Sequence, residues 1–80
     1  MNKGYWKDDG DGRSYSLWSS KEEYNINRAH LLGQIDLREH PKAFRWLWRA
    51  TAYKGNTVIE TWLNDPEKAM LFVNEALALN

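Results

Sequence analysis

Cationic and aromatic side chains crowd into PKAFRWLWRATAY, residues 41–53. Read at helical spacing, this stretch carries two apolar stripes. Phe44, Leu47, Trp48 and Thr51 form one, and Ala43, Trp46, Ala50 and Tyr53 form the other, with Lys42, Arg45 and Arg49 between them. A helix apolar around most of its circumference is central in a fold unless one stripe is left outside. The chemistry such a stripe could do is recognition. Trp, Tyr and Arg are the residue types that dominate interface energetics, and the guanidinium groups would select an acidic partner. The candidate partner-binding set is therefore Arg38, Lys42, Arg45, Trp46, Arg49 and Tyr53.

A second place where spacing could mean chemistry is the acidic loop in WKDDGDGRSYSLW, residues 6–18. Aligning Gly12 with the conserved glycine of an EF-hand calcium loop puts Asp9 and Asp11 at ligand positions, but Lys7 falls where the first ligand belongs and Trp18 where the bidentate glutamate belongs. The loop is therefore the turn of a hairpin and not a metal site. Nothing else suggests a reaction centre. The chain has no cysteine, no glycine-rich phosphate loop and no glycine-flanked serine elbow, and His30 and His40 do not have zinc-ligand spacing. The reading is a non-enzymatic protein with no catalytic, cofactor-binding or metal-binding residues.

The elements that would position these side chains follow from caps and turns. Gly4–Asp8 and Arg13–Trp18 read as two short strands, with Trp6 across from Tyr15 and Leu17 on the same face. Ser20 and Glu23 match a capping box at the head of a helix over 21–33, ended by Gly33. His40-Pro41 opens a helix over 41–53, with Gly55 as its left-handed terminator. Thr57 and Glu60 suggest another capping box and a helix over 57–64. Asp65-Pro66-Glu67 is a cap, a first-position proline and a first-turn acid, starting a last helix over 66–79. The expected fold is α+β: an N-terminal β-hairpin at about 4–18 packed on a bundle of about four helices, one compact domain over 1–80.

Composition bounds the function. Eighty residues make one small domain of modest stability, and eleven aromatic residues supply core area that the aliphatic residues alone would leave thin. Formal net charge is zero, but residues 38–54 carry five basic groups against Glu39, while residues 55–80 carry Lys68 against four acids. That asymmetry points to internal pairing or to a partner surface. The polar N-terminal stretch lacks the apolar run of a secretory signal, and no stretch is long enough to span a bilayer. The expectation is a soluble, cytoplasmic protein.

The segment LWRATAYKGNTVIETWLNDPEKAMLFVNEAL resembles part of a helix-turn-helix DNA-binding domain, on the strength of TVIETWLND and the amphipathic stretch after it. The resemblance implies a recognition helix presenting Thr57, Thr61 and Asn64 to bases, although Glu60 would face phosphates and no arginine or lysine accompanies it. DPEKAMLFVNEAL is also similar to a short helix of addiction-module antidote proteins. The leading expectation is a small protein-interaction module, regulatory or inhibitory in the manner of phage accessory proteins, that binds another protein with an acidic surface through the aromatic-basic helix. A helix-turn-helix DNA binder and a self-associating subunit, a homodimer for example, are the alternatives.

Overall fold

The structure, a computed structural model, describes residues 4–10, 12–19 and 31–78. Among these residues five strands are followed by one helix: β1 Tyr5–Asp8, β2 Ser14–Trp18, β3 Leu31–Glu39, β4 Trp46–Lys54, β5 Thr57–Leu63 and α1 Pro66–Ala76. Each strand pairs antiparallel with the next, so the sheet runs in chain order from β1 to β5. This overturns the expected hairpin on a four-helix bundle. Among the described residues α1 is the one helix.

The corrections have a common cause. Residues 46–54 and 57–63 are rich in aromatic and β-branched side chains, which favour a pleated surface. A stretch apolar at most positions satisfies a period of two as readily as one of 3.6, and tertiary pairing decides. The expected helix over 41–53 is a turn followed by β4, and the expected helix over 57–64 is β5. Gly55 does have positive φ (61°), but as the first residue of the two-residue turn joining β4 to β5, where a II′-type hairpin needs glycine. Thr57 and Glu60 have capping-box spacing by coincidence. With 57–63 extended, the recognition helix expected over 57–64 does not form at those residues. Of the expected helix over 21–33, residues 31–33 belong to β3, and the remainder with its capping box lies outside the described residues.

The N-terminal hairpin is present, in a different register from the one expected. Trp6 opposes Leu17 and Asp8 opposes Tyr15. The turn is shifted by one residue along the chain: the Asp9 N–H donates to the Ser14 carbonyl (2.9 Å) and the Gly10 N–H to Asp8 Oδ1 (2.9 Å). The last helix starts where its cap requires. Asp65 is extended, its carboxylate accepts from the Glu67 N–H at 2.8 Å, and Pro66 follows. It ends at Ala76, short of residue 79, and Ala78 turns left-handed (φ 57°) just beyond.

The registers assign the faces. Directly opposed residues share a side, so Trp6, Tyr15, Leu17, Gly33, Ile35, Leu37, Trp48, Ala50, Ala52, Ile59 and Leu63 face one way. The helix packs on that side through Ala69 and Val73, both fully buried, against a core of Leu17, Ile35, Trp48, Ala50 and Ala52. Small residues let it sit close. A Cβ on Gly33 would lie 2.7 Å from Val73 Cγ1 and 2.6 Å from the Thr51 carbonyl oxygen. Gly33 therefore marks the close approach of the helix to the sheet and not a helix terminus.

Candidate functional site

The other side of the sheet and the loops at its ends carry the polar chemistry. On this side Ser16, Gln34, Thr51 and Glu60 form one row across β2 to β5, and Ser14, Asp36, Arg49 and Trp62 the next. The polar groups largely satisfy one another. The Trp18 indole donates to Ser16 Oγ (2.8 Å), and Ser16 Oγ donates to Asp9 Oδ1 (2.9 Å). The Asp36 carboxylate, its side chain only 12% exposed, accepts from Arg49 through Nε (3.2 Å) and one terminal nitrogen (3.1 Å), and also from Arg38 Nε. Arg49 Nε also lies 3.9 Å from Glu60, so the charges alternate along β3, β4 and β5. Such a network staples three strands and, being internally neutral, makes a poor anion site.

The β3–β4 connection is built differently. It is closed twice by backbone bonds, from the His40 N–H to the Arg45 carbonyl (2.8 Å) and from the Phe44 N–H to the His40 carbonyl (3.1 Å). His40 Nδ1 accepts from the N–H groups of Lys42 and Ala43 at 3.0 and 3.1 Å. This is capping chemistry applied to a turn and not to a helix. The His40 ring is itself held edge-on against Trp62, with centroids 4.7 Å apart. Five residues in a row, Pro41 to Arg45, are exposed on this anchored frame.

At the tip stands Phe44, 80% exposed and left-handed (φ 55°). A bulky side chain in that region is a true outlier and costs roughly 1–2 kcal/mol. Trp46 is 62% exposed, whereas Trp48, two residues along the same strand face, is 8% exposed beneath the helix. The ion pairs formed among the described residues do not include Lys42 or Arg45. The tip thus presents two aromatic rings and two cations to solvent.

The six candidate residues are not brought together on one helix. Lys42, Arg45 and Trp46 gather at the tip. Arg38 and Arg49 lie on the polar side of the sheet, engaged by Asp36. Tyr53 sits on that same side near the far end of β4, opposite Val58. Phe44, which is not in the candidate set, is the most exposed ring of the tip. His40, expected at a helix start, organises the tip. The residue type that could have revealed this in the sequence is Pro41, which suits a turn as well as a helix start.

Asp8 and Asp9 of the acidic loop serve the hairpin through the bonds given above, and among the described residues no cluster of three or more His, Asp or Glu side chains could hold a metal ion. Among the same residues no helix is long and apolar enough to cross a membrane. Comparison of the chain with protein-family models, with curated proteins and with solved structures gave no match.

Proposed function

We propose that this protein is a protein-interaction module that docks through the β3–β4 tip. Phe44 and Trp46 are the apolar anchors, Lys42 and Arg45 the flanking cations, and the partner is a protein with an apolar cleft rimmed by carboxylates. The observation that carries this reading is Phe44. One residue bears both the cost of an exposed ring and the cost of a left-handed backbone. Neither contributes to the core, so the ring is better explained by something it meets outside the molecule.

The frame suits that role. A tip whose main chain is already held by two backbone bonds and a capped turn loses little further backbone freedom on binding, and pre-organisation of this kind is where affinity is gained. The cations beside it would steer an acidic partner and reject a basic one. Arg38 and Arg49 act here through Asp36, holding β3 and β4 together behind the tip.

The test is differential capture from the native host with the immobilised protein. A partner retained by the wild type should be lost by Phe44→Gly and weakened by Arg45→Glu, with both variants giving the wild-type circular dichroism spectrum. Equal retention of every captured protein by the wild type and both folded variants would refute the tip as the docking element.

A further inference from the structure

We infer that the free edge of β5 accepts an extended peptide as a sixth strand, and that the peptide it fits places a basic residue opposite Glu60 between two apolar ones. The sheet has two edges, and they differ. β1 has four residues and ends in a lysine and an aspartate, beside a register shift between Leu17 and Trp18. Short, charged and next to an irregularity, it is protected in the ways sheet edges usually are. β5 has seven residues, TVIETWL, with no proline, glycine or lysine, and pairs with β4 in unbroken register from Lys54–Thr57 to Trp48–Leu63.

The turn geometry says which backbone groups this edge offers. A two-residue hairpin turn makes its flanking residues, Lys54 and Thr57, a hydrogen-bonded pair, and the pattern alternates from there. Val58, Glu60 and Trp62 therefore direct their N–H and C=O groups away from β4. No backbone bond outside the ladder engages them among the described residues. Their side chains share the polar side of the sheet, Val58 standing 62% exposed and Glu60 at the centre.

Glu60 selects the occupant. A second copy of the chain paired antiparallel in full overlap would set Glu60 against its own equivalent, with Cα atoms about 5.5 Å apart, and like charges directly opposite destabilise a strand pair. A lysine or arginine there relieves the conflict, while β-branched residues two positions to either side meet Val58 and Trp62. This is strand addition, in which main-chain bonds supply affinity and alternate side chains supply specificity. It uses the β5 edge and not the tip, although Trp62 also meets His40.

The probe is a seven-residue peptide alternating threonine with valine, lysine and valine, titrated into the labelled protein while amide signals and hydrogen exchange are followed. The amides of Val58, Glu60 and Trp62 should shift and exchange more slowly at millimolar peptide, and replacing the peptide's lysine by glutamate should weaken binding about tenfold. Glu60→Lys should invert that preference; if this variant does not fold, the two peptides on the wild type still decide. Absence of shifts at these amides, equal response to both peptides, or the same amides becoming protected with protein concentration alone would overturn the inference, the last pointing to a second copy.

Discussion

Replacing Phe44 by glycine and, separately, by alanine separates the backbone cost of the tip from the ring's own contribution. Both substitutions delete the ring, which is 80% exposed, and so both lose the same small contact area. They differ in the backbone. At φ 55° alanine keeps the left-handed penalty, whereas glycine does not. The penalty is roughly 1–2 kcal/mol, and glycine returns about 0.5–1 kcal/mol of it through the greater freedom of its unfolded chain. The glycine variant should therefore be more stable than the alanine variant by about 1 kcal/mol, which for a domain of this size is a difference of about 4–8 °C in Tm. Thermal and urea melts of the two proteins measure it. An alanine variant equal to or more stable than the glycine variant would show that Phe44 does not hold a left-handed backbone, and the case for a strained, functional tip would lose its basis. Both variants should lose the captured partner equally, since each lacks the ring.

Other positions test the frame. Gly33→Ala should cost about 2 kcal/mol and lower Tm by about 10 °C, because the Thr51 carbonyl 2.6 Å from the new Cβ is backbone and cannot swing aside; an unchanged melt would mean that the helix is not seated where Val73 places it. Asp36→Ala should destabilise by about 2 kcal/mol in urea melts, since it leaves Arg49 with only Glu60 at 3.9 Å, and a neutral result would remove the staple. His40→Ala should loosen the turn, seen as faster amide exchange at Lys42 and Ala43 with the sheet amides unchanged, and His40→Asp, which restores an acceptor, should reverse the effect.

What could be read from the sequence was what local chemistry decides. Asp65-Pro66-Glu67 names a helix start whatever surrounds it, and the glycine-aspartate turn between two aromatic segments names a hairpin. The register of that hairpin was not legible, because it depends on which pair closes the turn, here Asp9 and Ser14. From residue 41 to 63 the pattern is ambiguous for a physical reason. Trp46, Leu47, Trp48, Ala50 and Ala52 are apolar at nearly every step, so no period stands out, and Gly55 serves a helix end or a hairpin turn with the same positive φ. Its aromatic and β-branched content was the signal that favoured strands. The site suffered from the same ambiguity. Lys42, Arg45 and Trp46 are all exposed, whereas Arg38 and Arg49 are engaged by Asp36, which lies directly across from Arg49. Phe44 did not stand out because at helical spacing it falls in an apolar stripe with Leu47, Trp48 and Thr51.

Residues 46–63 form a strand pair that throws residues 41–45 out as a tip. Proton NMR of the intact chain tests this directly. In an antiparallel pair the Hα atoms of non-hydrogen-bonded partners are the closest across the ladder, so cross-peaks between Hα of Thr51 and Glu60, and between Hα of Arg49 and Trp62, are expected. Runs of sequential amide–amide cross-peaks over 46–53 and 57–63, with neither Hα pair in contact, would contradict it.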